Sequence, residues 1–134
     1  MRSAVTPAEA RWMALPDALT SPAASRSFVR SALEDWGQDE SVDVALILVS
    51  ELSSNVVVHA GTSMTVSVAC DPDHHVVRIE VQDGCATIPS VQDRGRMSAS
   101  GRGLRLVDAL STRWGVRPLV DGKAVWFELI GSGA

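Results

Sequence analysis

Residues 64 to 83, MTVSVACDPDHHVVRIEVQD, leave the chain few ways to fold. Both ends of this stretch alternate apolar and polar residues at the period of a strand. The second does so most regularly: Val77, Ile79 and Val81 fall on one face, Arg78, Glu80 and Gln82 on the other. DPDH between them is rich in turn residues, so the two runs predict an antiparallel hairpin. One of its faces is apolar and requires a second layer to bury it.

The remaining segments can supply that layer. SPAASRSFVRSALEDWG predicts a helix with Ser21 as cap, Pro22 at the first helical position and Gly37 as the stop. Phe28, Val29, Ala32, Leu33 and Trp36 form its core-facing stripe. A second helix is expected from about Ser41 to Ala60, ended by Gly61, and a third over GRGLRLVDALS. ARWMAL, ended by Pro16, reads as a short strand; TRWGV and KAVWFELI read as two more, joined by a turn at VDGK. This order predicts an α+β two-layer sandwich, with a mixed, mostly antiparallel sheet covered on one face by about three helices. One domain over residues 1–134, with its core at about 10–130, suits a chain of 134 residues that is 46% hydrophobic and 21% charged.

Charge and composition narrow the function. A formal net charge of −4 argues against a surface built for direct nucleic-acid binding, so any basic site must be local. Cys70 and Cys85 lack metal-ligand spacing and do not make a disulfide scaffold; they are expected as buried or half-buried thiols. The first twenty residues hold no apolar core for a signal peptide, and the run VALILV falls short of the ~18 residues of a membrane helix. No membrane association and a reducing cytoplasm are the expectations.

Three polar constellations interrupt the apolar pattern. In SELSSNVVVHAG, Glu51 and Asn55 stand one helical turn apart and share a face. Such a pair can hold a hard cation such as Mg²⁺ through the Asn oxygen while the carboxylate polarises a hydroxyl or water. The alternative is two solvent-facing residues on an amphipathic helix. His59 continues that face, or is a helix-end histidine bonded to backbone. Asp83 ends the best strand in VQDG, where it can accept a hydrogen bond from an exocyclic amine or make an Asx turn with Gly84. Gly101 and Gly103, in SGRGLRLV, can let backbone N–H groups approach an anion at a helix N-terminus, or can simply be a flexible entry. Arg94, Arg96, Arg102 and Arg105 stand near them against Asp93 alone. No Walker loop and no Rossmann fingerprint occurs.

The order of these signals carries more than any one of them. E-x-x-x-N on a helix, a strand ending in Asp-Gly, a loop into G-x-G-L and a hairpin with GKAVWFEL resemble the ATP-binding domain shared by DNA gyrase, heat-shock chaperones, sensor histidine kinases and mismatch-repair proteins. The resemblance spans about Ala10 to Leu129. The small size, and the helix RSFVRSALEDWG ahead of the E-x-x-x-N box, resemble its anti-sigma-factor serine kinase branch.

The resemblance implies a Bergerat-type fold binding ATP and Mg²⁺. It implies that Asn55 ligates Mg²⁺ bridging the phosphates, that Glu51 is the base and that Asp83 binds the adenine amino group. Gly84 would lend backbone freedom beside Asp83. The backbone around Gly101, Gly103 and Leu104, with Arg102 and the arginine-bearing loop as a lid, would hold the phosphates. Two departures stand out: Cys85 and Thr87 replace the glycines of the family's D-x-G-x-G, and Ala124 stands where a Thr often supports the adenine contact. The function implied is an ATP-dependent protein serine/threonine kinase that sequesters a sigma factor or similar transcription regulator and phosphorylates an anti-sigma-factor antagonist protein, with a homodimer allowed. The alternative is a non-catalytic docking module of the same fold.

Overall fold

The computed structural model describes residues 9–86 and 99–132, and for residues 99–102 the backbone alone. The chain forms β1 (Glu9–Leu15), α1 (Ser21–Asp35), α2 (Val42–Asn55), β2 (Met64–Asp71), β3 (Val76–Asp83), α3 (Ala99–Leu110), β4 (Arg113–Leu119) and β5 (Gly122–Ile130). Among the described residues the five strands make one sheet in the order β1-β2-β3-β5-β4, and every neighbouring pair is antiparallel. The three helices and this sheet are the expected α+β sandwich. The parallel component that a mixed sheet would contain is absent among the described strands.

The two-residue period sets the core. Val66 and Val68 on β2, Val77, Ile79 and Val81 on β3, and Val125, Phe127 and Leu129 on β5 all point to the helical layer and are buried. Val29, Ala32 and Leu33 of α1, Ala45, Leu48, Val49 and Leu52 of α2, and Leu104 and Val107 of α3 are buried in the same core. Each fully buried Val, Leu or Phe contributes about 1.5–3 kcal/mol over an exposed one. Phe28 and Trp36 of the predicted α1 stripe pack at its margin, half-buried.

The helix ends depart from expectation in detail. Ser21 is the first residue of α1 rather than its cap, because its hydroxyl donates to the Pro16 carbonyl at 2.7 Å. Gly37 and Gly61 end their helices in the left-handed backbone region, at φ +69° and +65°, where a side chain is costly. Helix α2 does not run evenly to Ala60. From Val56 it widens into a π turn, closed by Gly61 N–H donating to the Val56 carbonyl at 2.8 Å. The helical run Asp39–Ala60 is long and apolar enough to cross a membrane by length and composition, and half of its most apolar stretch is buried in this core. Polar contacts also join α1 to α2: the Ser25 and Ser53 hydroxyls lie 3.0 Å apart, and Arg26 donates to the Ser50 hydroxyl at 2.9 Å.

The other face of the sheet is ionic. Glu128, although buried, accepts from Arg78 at 3.0 Å and from Arg113. Arg78 also donates to Glu80 and stacks on Trp126, 4.0 Å from the ring centre, and Glu80 accepts from Arg117 at 2.6 Å. These are cross-strand pairs on the polar face that the alternation predicted. Asp71 organises the β2–β3 turn, and the hydrogen bond from His74 holds its carboxyl below the usual range. Neither cysteine forms a disulfide among the described residues, Cys70 being buried and Cys85 half-buried; burial, then the charges of Asp71 and Glu9, push the Cys70 thiol up to about 11.

If this core carries the fold, Phe127→Ala should cost about 3–5 kcal/mol of unfolding free energy in a denaturant titration. Val120→Ala, at a side chain left 98% exposed, should change it by less than about 0.5 kcal/mol.

Candidate functional site

The α2–α3 contact brings the first and third constellations together. Glu51 and Asn55 are both half-buried on α2. A Cβ placed on Gly103 would lie 2.8 Å from Asn55 Nδ2 and 3.5 Å from Glu51 Oε1. At 2.8 Å an alanine could remain only if the Asn55 amide moved. The G-x-G segment thus packs directly onto the E-x-x-x-N face, a contact that sequence order alone did not establish. Asn55 Oδ1 is buried and accepts no hydrogen bond among the described residues. A buried carbonyl oxygen left without a partner typically costs about 1–3 kcal/mol, so it calls for a ligand or a reason. The π turn begins at the next residue, Val56, and such turns are frequent at functional sites.

The two glycines are not ahead of the helix, as expected, but inside it. Helix α3 starts at Ala99, so the N–H groups without intrahelical acceptors are those of its first turn, ahead of Gly103. By helical geometry, Gly103 and Leu104 donate within the helix, and the Leu104 side chain belongs to the core. Arg105 is exposed. The Arg102 side chain, and Thr87, Arg94 and Arg96 of the expected lid, lie outside the described residues. His59 is exposed at the end of α2.

Asp83 closes β3 on the helix-facing side of the sheet, in phase with Val81, and is 9% exposed. Its Oδ1 accepts the Cys85 N–H at 2.8 Å, so the Asx turn is real. The same oxygen accepts from Lys123 Nζ at 3.1 Å, and Lys123 also donates to the Cys85 carbonyl at 3.0 Å. Lys123 is itself only 7% exposed. Gly84 does not use the left-handed backbone; its N–H donates to the Thr62 hydroxyl at 3.0 Å. Gly122 lets β5 start here, since a Cβ on it would sit 1.9 Å from the Asp83 carbonyl oxygen.

The register corrects one expectation. Ala124 pairs with Gln82, and Lys123 pairs with Asp83. A one-residue step along a strand reverses the face, so Ala124 belongs to the ionic side and Lys123 faces Asp83. Sequence reading missed Lys123. The available signal was its phase with Val125 on β5, matching the phase of Asp83 with Val81.

A cation that keeps most of its waters and takes phosphate oxygens fits the α2 pair better than a caged metal does. The α2 face offers the buried Asn55 oxygen, and no cluster of three His, Cys, Asp or Glu exists among the described residues. An open depression of about 250 Å³ touches Asp83 and Gly84, but its walls come from Ser63, Thr65, Gln82, Leu119 and Asp121 and include neither Glu51 nor Asn55. The close contacts around Gly103 and Asp83 therefore locate the site better than that depression does.

Residues 15–129 match the model of the histidine kinase-like ATPase domain, and the chain belongs to this family. No curated protein matches the sequence. Among solved structures, the crystal structure of the RsbU and RsbW domains of Rv1364c from Mycobacterium tuberculosis is similar in fold, with a TM-score of 0.70 at 19% identity. The match covers 92% of this chain and 32% of that one, so the chain spans about a third of the solved protein's length.

Two glycine substitutions should separate site from scaffold. Gly122→Ala drives a Cβ into backbone and should cost about 1–3 kcal/mol by denaturant titration. Gly103→Ala meets the tip of one side chain, so it should displace the Asn55 amide at a cost under about 1 kcal/mol. Equal losses for the two would contradict the contacts described.

Proposed function

We propose that this member of the histidine kinase-like ATPase family is an ATP-dependent protein serine/threonine kinase of the anti-sigma-factor type. The observation that carries the reading is the buried, unpartnered Asn55 oxygen held against Gly103 and one turn from Glu51. That oxygen would complete the shell of Mg²⁺ on the nucleotide phosphates. The N-terminal end of α3, with its unpaired N–H groups and helix dipole, would receive the phosphates, and Arg102 would add charge to them. Asp83 would face the base. Glu51 would take the proton from an acceptor hydroxyl on a protein substrate. Mg-ATP, when bound, supplies the transferable phosphoryl group and the charge neutralisation that such a transfer depends on.

The likeness in fold to a solved protein with an RsbW domain supports the regulatory side of the reading. A transcription regulator such as a sigma factor would be sequestered, and a small antagonist protein would be the phosphorylated partner. One observation favours the second reading, a docking module of the same fold: Lys123 already holds the carboxylate that would read adenine.

Substitutions on α2 separate the two. Asn55→Ala should lower Mg-ATP affinity and phosphoryl transfer together. Glu51→Ala should bind ATP nearly normally and lose roughly 10²- to 10⁴-fold in transfer, the usual worth of a general base. Calorimetry with Mg-ATP and labelled-phosphate transfer to Ser/Thr-bearing candidate partners measure both, with melting curves as the folding control. A wild type that binds no ATP and labels no partner would leave the docking module as the better reading.

A further inference from the structure

The proposed site has a feature that the E-x-x-x-N and Asp-Gly signals do not account for: a buried ammonium on the base-facing carboxylate. Asp83 Oδ1 has two lone pairs, and both are taken, one by the Cys85 N–H at 2.8 Å and one by Lys123 Nζ at 3.1 Å. Among the described residues Oδ2 accepts no hydrogen bond. The Lys123 ammonium has three N–H donors, and two of them go to Asp83 and to the Cys85 carbonyl at 3.0 Å. What this end of β3 and β5 offers a ligand is therefore one carboxylate oxygen beside one cationic donor. A carboxylate acting alone offers acceptors only.

We infer that Lys123 sets the base selection of this site, narrowing its preference for a 6-aminopurine over a 6-oxopurine nucleotide. The inference rests on the nucleotide-binding reading above. The chemistry is direct. The 6-amino group of adenine is a donor and must share Asp83 with an ammonium whose hydrogens repel its own. The 6-oxo group of guanine or hypoxanthine is an acceptor and can take the free N–H of Lys123, while the adjacent ring N–H donates to Oδ2. Charge-assisted hydrogen bonds of this kind are roughly twice as strong as neutral ones, so the exchange of amine for carbonyl carries weight. Both side chains are more than nine-tenths buried, which fixes the pair in place and limits screening by water.

The test is a ratio. Mg-ATP and Mg-GTP affinities are measured by calorimetry for the full chain, for Lys123→Thr and for Lys123→Met. Threonine keeps a hydroxyl beside Asp83, and methionine keeps the apolar stem, so the two variants guard against a simple packing defect. ATP and GTP carry the same triphosphate, so the ratio cancels the loss of a positive charge from the protein. The preference for ATP over GTP should rise by about tenfold or more in both variants, the worth of one charged hydrogen bond. An unchanged ratio in variants that bind both nucleotides would overturn the inference and leave the nucleotide reading standing. Binding of neither nucleotide by any of the three proteins would overturn both.

Discussion

Strand β3 is the element on which the rest depends. It pairs with β2 on one side and β5 on the other, and its helix-facing side chains Val77, Ile79 and Val81 are fully buried. Burying that row fixes the face of every other residue on β3, because the side-chain period of a strand is two. Asp83 is the next residue in phase, so the same packing that buries Val81 sends Asp83 to the helical side at the strand's end. The register with β5 then sets Lys123 against it and turns Ala124 away. Core packing and the chemistry at the sheet's end follow from one constraint.

A second constraint acts between helices. Helix α2 buries Leu48, Val49 and Leu52 against the sheet and keeps Glu51 and Asn55 at the side where α3 approaches. Only a residue without a side chain can stand at position 103 while the Asn55 amide keeps its place. The result is a polar oxygen that none of the described residues satisfies. Evolution toward stability alone would remove such a group, since a buried acceptor without a partner costs free energy. Its presence on a helix otherwise committed to the core is the physical reason for reading α2 as the floor of a binding site.

Much of this was legible in the sequence. The strands announced themselves by alternation at 77–82 and by turn residues at 71–74, and α1 by its stripe from Phe28 to Trp36. Glu51, Asn55 and Asp83 stood out as polar residues in apolar contexts. What escaped depended on facts the chain's linear order does not carry. Ser21 reads as a cap until Pro16 folds back to take its hydroxyl. The π turn after Asn55 has no local signature in the sequence. Position 124 drew attention through likeness of motif, whereas strand phase, which is physical, singles out Lys123. In sequence the Asx turn and the ligand-facing carboxylate read as alternatives for Asp83, yet one carboxylate has oxygens enough for both.

We propose that one nucleotide site runs from the Asn55–Gly103 contact to the Asp83–Lys123 pair, on the helical side of the sheet. Amide chemical-shift mapping during a titration with Mg-ATP tests it most directly. The largest shifts should fall at Asn55, Gly103, Asp83, Cys85 and Lys123, with Trp126 and Glu128 on the ionic face unmoved. Shifts confined to that ionic face, or none at saturating nucleotide, would contradict it.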